Sequence, residues 1–201
     1  MDQLHDEMTR RDAIIRAAVQ VFAEKGYHRA SIKDIAAAAH LKSPSLIYWY
    51  FKDKGELLRA VLSQLSPLFF EMENPAALAD LSPESLLLLI ARGFMQGFEN
   101  PDGKRIFRIV LSEALRDPAL IDEFVDSVLR VLRFFTGYLQ QQVEQGRLRP
   151  HDPATAARGF IGGLVAYMLA RDVIPRLGTG LPDMEMFISE HVRIFMDGLR
   201  A

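Results

Sequence analysis

The chain has 201 residues, 49% of them hydrophobic and 25% charged, with a formal net charge of −2 and no cysteine. That length allows one large or two small domains with a real core, and the lack of cysteine excludes a disulfide framework or a thiolate zinc site. The polar start MDQLHDEMTR does not read as a signal peptide, and the greasiest run, Leu86 to Ile90, is too short to span a bilayer, so a soluble cytoplasmic protein is expected.

Residues 1 to about 8 are expected to form a mobile arm. Thr9 or Asp12 then caps a helix running to Lys25, with Ile14, Ala17, Ala18, Val21 and Phe22 as its core stripe and Gly26 as terminator. In the next stretch, SIKDIAAAAHLKSPSLIYWYFKDK, Ser31 and Asp34 form a capping box, and Ile32, Ile35, Ala36 and Ala39 make one apolar stripe. His40-Leu41-Lys42 makes a turn, and Ser43-Pro44 opens a second helix, serine capping and proline pre-setting the first helical φ.

That second helix has two faces. Leu46 with Tyr50 and Ile47 with Phe51 are i, i+4 pairs that can point inward. Ser45, Tyr48, Trp49 and Lys52 share another face of hydroxyl, aromatic and cationic groups, which suits a DNA groove. Helix, tight turn and helix with this face outward is the logic of a helix-turn-helix reader; the spacing alone also fits an amphipathic hairpin in a core. Charge is uneven. Between residues 25 and 54, six cations (Lys25, Arg29, Lys33, Lys42, Lys52, Lys54) stand against Asp34 and Asp53, a net of +4 that leaves −6 for the rest. A basic footprint on an acidic body is the shape expected of a DNA-binding head on another domain. A further helix starts near Lys52 and carries Glu56, Leu57, Leu58, Val61, Leu62 and Leu65; its amide-rich start, with Lys54, is expected to clamp a phosphate.

The run A-x-L-K-S-P-S-L-I-Y-W-Y-F-K-D-K-x-E-L-L resembles the DNA-binding segment of TetR/AcrR-family repressors. Ala17, Phe22, Gly26-Tyr27, Ser31-Ile32 and Asp34-Ile35-Ala36 also match that family's pattern, which covers about residues 9 to 60. Two departures stand out: His40 replaces the usual turn glycine, and Lys42-Ser43-Pro44-Ser45 makes a longer turn. The resemblance implies an all-α protein: an N-terminal three-helix helix-turn-helix DNA-binding domain, residues 1–54, followed by an effector-binding and dimerisation domain, residues 55–201. It implies backbone contacts from Ser31, Tyr50 and Lys54, with Ser45, Tyr48 and Trp49 nearer the bases. Lys33, Lys42, Pro44 and Lys52 complete the expected DNA-facing set.

Downstream, Phe69 to Leu81 with Asn74-Pro75 reads as a connector. Ser82-Pro83, Asp117-Pro118 and Asp152-Pro153 each open a helical segment. Asn100-Pro101-Asp102-Gly103 is expected to be a turn before a helix of Ile106, Phe107, Val110, Leu111, Ala114 and Leu115. Helical spacing then continues from Ile121 to Gly146, with Asp126 and Arg130 as an i, i+4 pair. Segments 152–174 and 183–199 make the last two helices. In the resembled family such a pair meets its twin, which implies a dimer interface of Gly159, Gly162, Gly163, Ala166, Ile188, His191, Val192 and Phe195. Tight packing within one chain explains the same glycines equally well. The family also places a small, hydrophobic effector between helices, which implies a pocket of Phe94, Phe98, Phe107, Leu111 and Tyr138, with Arg108 or Glu113 supplying polarity.

Catalytic motifs are missing: the five histidines lack metal spacing, and there is no G-x-S-x-G and no P-loop. No catalytic residue, metal or cofactor is expected. The reading is a ligand-responsive regulator, most simply a repressor, that binds a pseudo-palindromic double-stranded operator as a homodimer without a membrane. The alternatives are a helical adaptor that uses the 31–54 hairpin on a protein, or an all-α enzyme.

Overall fold

The computed structural model describes the backbone of residues 2–65, 78, 80–99 and 101–200, and their side chains from residue 10 on, Leu65 excepted. Its α-helices are α1 Asp2–Lys25, α2 Ile32–Ala38, α3 Lys54–Leu62, α4 Pro83–Gln96, α5 Pro101–Arg116, α6 Asp122–Glu144, α7 Pro153–Met168 and α8 Met184–Leu199. The expected connector at 69–81 lies for the most part outside the described residues. Among those residues the only extended pairing is one antiparallel bridge, Leu148 to Arg200.

The chain divides into two compact units, one of residues 1–66 with 98–125, the other of 67–97 with 126–201. This partition differs from a cut at residue 54: α3 and α5 belong with the head, because both are packed against α1. In this first unit α1 begins at Asp2, ahead of the caps expected at Thr9 or Asp12. Ile14, Ala18 and Phe22 face inward with at most 1% exposure, and Gly26 ends the helix at φ +74°, where a side chain would be strained. Ser31 accepts the Asp34 amide while Asp34 Oδ2 accepts the Ser31 amide, so the capping box forms as the spacing predicts.

The end of α2 is a Schellman turn: the His40 amide donates to Ala37 O and the Leu41 amide to Ala36 O. This motif places its C′ residue in the left-handed region, and His40 sits there at φ 54°. The next segment corrects an expectation. Pro44–Trp49 winds as a 3₁₀ helix, with the Tyr50 amide donating to Ile47 O. A six-residue piece bounded by Pro44 and rich in branched and aromatic side chains gains little from α winding, and tight i, i+3 turns are used in such short pieces. The start of α5 also differs. It begins at Pro101, with Gly103 buried in its first turn, where a free turn was expected. Asp117 makes no side-chain cap to the 3₁₀ turn Pro118–Ile121.

In the second unit Ser82 and Asp152 cap α4 and α7 as expected. Its core holds Leu86, Met95, Phe135, Phe160, Leu164 and Ile188, all fully buried. Arg130 donates to Ser127 Oγ at 2.7 Å, rather than pairing with Asp126. The segment expected as one helix to residue 174 changes winding after Met168 into a π turn, Leu169–Val173. Among the described residues no helix is long and apolar enough to cross a membrane.

Candidate nucleic-acid interface

The head presents an aromatic edge because its scaffold is buried behind it. Ile47 and Phe51 are 0% and 2% exposed, and Arg11 lies over the Phe51 ring at 5.1 Å. Leu46 and Tyr50 are half-buried, while Ser45 and Lys52 are exposed. Tyr48 and Trp49 stand out at 55% and 81% exposure. Tighter winding therefore keeps the predicted division of faces. Exposing an indole and a phenol side by side to water is unfavourable, so this edge invites a partner. Ser45 Oγ is 2.7 Å from Ser43 Oγ, and Pro44 is half-buried at the start of the turn.

The cations divide by role. Lys33, Lys42 and Lys52 are exposed. Lys54 is not a free cation: its ammonium donates to Tyr27 O at 2.8 Å and Ala30 O at 3.0 Å, and lies 4.4 Å from the Tyr27 ring centre. Burial pushes its pKa down, opposed by the charge of Glu113. The expected Lys54 phosphate clamp is thus corrected: the side chain straps α3 to the loop after α1. The start of α3 is also occupied by its own acids, since Asp53 accepts the Glu56 amide and Glu56 accepts the Lys52 amide. Ser31 Oγ donates to Asp34, whose carboxyl is held down to about 2 by the Lys25 ammonium at 2.7 Å and then by Ser31.

The residues expected to line an effector pocket fall in both units. Phe98 and Phe107 meet edge to face at 5.4 Å as buried residues of the first, where Leu111 is half-buried and Arg108 exposed. Phe94 and Tyr138 belong to the second, and the Tyr138 hydroxyl is spent on Leu81 O at 2.6 Å. An open, solvent-facing groove of about 550 Å³ in the second unit is lined by Tyr167, Arg171, Leu181 and Met184, among others. Glu113, expected to add polarity to the pocket, is fully buried in the first unit, 3.3 Å from His28 Nε2. Sequence reasoning missed this contact because a glutamate within an amphipathic helix carries no sign that it is buried.

Of the residues expected at a dimer face, Gly159, Gly162 and Ala166 are exposed along α7. Ile188 and Val192 are 0% and 2% exposed inside their own chain, so packing removes them from any contact surface. Gly163 is a contact within the chain too: a Cβ there would lie 2.4 Å from His191 Cε1. His191 stacks on Phe160 and Phe187 and bonds Phe160 O through Nε2, and Phe195 packs on Phe160.

A helix-turn-helix hairpin braced by α1, with a solvent-facing aromatic edge, defines a helical DNA-binding regulator. Residues 14–61 match the tetR family of bacterial regulatory proteins, and residues 85–198 match the C-terminal domain of AefR-like transcriptional repressors. The chain belongs to the TetR family of transcriptional regulators. It is 28% identical to the HTH-type transcriptional regulator SrpR of Pseudomonas putida, over 79% of this chain and 73% of that one. A complex of SmeT with triclosan shares its fold at a TM-score of 0.77 and 22% identity, over 96% of this chain and 92% of that one. AibR in complex with isovaleryl coenzyme A and operator DNA does so at 0.69 and 22%, over 92% and 97%.

Proposed function

We propose that this regulator is a cytoplasmic repressor that binds a pseudo-palindromic operator as a homodimer and leaves it when a small hydrophobic effector binds. The observation that carries the DNA reading is the exposure of Tyr48 and Trp49 on a turn anchored by fully buried Ile47 and Phe51. Rings held this way suit thymine methyls and sugars, while Lys33, Lys42 and Lys52 suit phosphates. A two-fold reader needs heads about 34–36 Å apart to enter successive major grooves. The exposed small residues Gly159, Gly162 and Ala166, with Met186 and Ile194 at 58% and 62% exposure on α8, support pairing through the C-terminal helices. SmeT holding triclosan supports a hydrophobic effector here, and AibR holding an acyl coenzyme A with operator DNA supports a small-molecule effector acting on a DNA-binding chain of this fold.

The test is selection of duplexes from a random pool by the purified protein, followed by affinity measurement against salt. Phosphate contacts make log K fall linearly with log salt, whereas an adaptor's apolar interface does not. Tyr48→Ala with Trp49→Ala is expected to abolish specific retention and leave the melting temperature unchanged. Retention that survives this double change, or lacks a salt slope, refutes the reading.

A further inference from the structure

Glu113 is the buried charge in the head that DNA reading does not explain. Its side chain is 1% exposed, and neither carboxylate oxygen accepts a hydrogen bond. A carboxylate in such a place is costly unless a cation faces it. His28 Nε2 at 3.3 Å is that partner, from an imidazole 48% exposed to solvent. The other groups around it are accounted for. Lys54 feels the carboxylate's charge, yet its ammonium donates to the carbonyls of Tyr27 and Ala30. Tyr27 feels Glu113 together with Asp53, Arg59 and Asp117, and its ring meets His28 edge-on at 5.4 Å. The pair therefore joins α5 to the loop between α1 and α2, and it is an ion pair only while the imidazole carries its proton.

We propose that Glu113 and His28 form a proton-operated latch that positions the DNA-reading hairpin. The inference rests on the DNA-binding reading above. Three residues after His28 comes Ser31, whose capping box with Asp34 starts α2. Holding His28 against α5 fixes the loop that delivers α2 and the reading turn, and a preordered reader binds more tightly. Imidazoles gain their proton as pH falls from about 8 to 5. Acidification closes the latch and tightens the operator. Glu113 and His28 are positioning residues, and neither needs to touch DNA.

The experiment uses the full chain and a duplex that it has itself selected from a random pool, with affinity read by fluorescence anisotropy from about pH 8 to pH 6. Wild type is expected to tighten on the order of tenfold, in the range of measured site-to-site couplings. His28→Gln and Glu113→Gln should each remove the same part of that gain, and the double variant no more than either alone. Glu113→Leu, which fills the site without a carboxylate, should fold and show the same flattened profile. If His28→Gln flattens the profile while Glu113→Gln and Glu113→Leu keep it, the imidazole contacts phosphate directly and the latch is overturned. If all variants keep the slope, protonation acts elsewhere, with His40 beside the reading turn as the next group to test, and the latch is again overturned. If no duplex is selected at any pH, the DNA reading itself fails. The latch is then read from hydrogen-exchange protection of residues 26–31, corrected for the intrinsic base-catalysed rate at each pH, which must rise on acidification in wild type and stay unchanged in Glu113→Gln.

Discussion

Gly163→Ala tests whether the C-terminal glycines serve packing within one chain or contact between two. An added Cβ would stand 2.4 Å from His191 Cε1, 2.9 Å from Nε2 and 3.2 Å from Nδ1. Carbon atoms rest about 3.5–4.0 Å apart, so something must move by more than roughly 1 Å. The ring has little room to yield. Phe160 stacks on it at 4.7 Å and Phe187 at 5.3 Å, and its Nε2 is tied to Phe160 O at 2.9 Å. Overpacking of this kind costs about 1–3 kcal/mol, and loss of the Nε2 bond adds about 1 kcal/mol. Alanine's better helix propensity returns about 1 kcal/mol. The net expectation is a loss of about 1–3 kcal/mol, or roughly 2–4 °C in melting temperature per kcal/mol for a chain of this size. Urea and thermal melts at fixed protomer concentration measure it. His191→Ala in the same chain removes the clash, so a double-mutant cycle should return a coupling of about 1–3 kcal/mol. At Gly159 and Gly162 nothing lies within 4 Å of an added Cβ, so alanine there should leave the single-chain fold intact. A Gly163→Ala protein that melts like wild type, with an additive cycle, would refute this packing argument.

Three further outcomes follow from the head. His40→Gly relieves a left-handed residue with a side chain at φ 54° and should stabilise the protein by about 1 kcal/mol; a lower melting temperature would show that the imidazole gives something back. Lys54→Met keeps the stem but leaves Tyr27 O and Ala30 O without their ammonium, costing roughly 2 kcal/mol. Its operator affinity should keep the wild-type salt slope, whereas a phosphate-binding lysine would reduce that slope by about 1. Asp34 has its folded pKa lowered from 3.8 to about 2, chiefly by Lys25 and then Ser31. A depressed carboxylate pKa contributes stability that is present above 3.8 and lost as pH falls towards 2. The stability difference between wild type and Asp34→Asn should therefore shrink as the solution is acidified through that window, as acid titration by circular dichroism would record.

Much of the head was legible because its signals are local. A serine three residues before an aspartate, or a proline after a serine or aspartate, needs no tertiary knowledge to mark a helix start: Ser31 caps α2 in the head, as Ser82 and Asp152 cap α4 and α7 in the second unit. The same holds for Ile47 inward against Trp49 outward, since hydrophobic spacing survives a change from α to 3₁₀ winding. Winding itself was not legible, because it depends on what caps the segment at both ends and how short that leaves it. Charged side chains were the least legible of all. Lys54 and Glu113 have the composition of surface residues, yet one is tied to carbonyls and the other is fully buried. Their positions depend on α3 and α5 packing against α1, which is long-range information.

That asymmetry bears on how the head can respond to anything bound elsewhere on the chain. A switch needs an element with two arrangements of similar free energy, biased by a differential contact. The apolar contacts behind the reading turn are poor material for one, because Ile47, Leu57, Leu58 and Val61 are fully buried and displacing any of them opens a cavity costing several kcal/mol, about 2–5 for a leucine. The loop at residues 26–31 is different. Buried Tyr27 and Ala30 anchor it, and polar contacts add to that hold: the Lys54 strap and the His28–Glu113 pair, with the Lys25–Asp34 bridge flanking it. The part-buried hydrogen bonds of the Lys54 ammonium are worth about 1–3 kcal/mol, comparable with the differential affinity that typical effectors supply, whereas the exposed Lys25–Asp34 bridge contributes little. Regulation of the reading edge is therefore expected to act through this loop, with the apolar scaffold of the hairpin moving as one body.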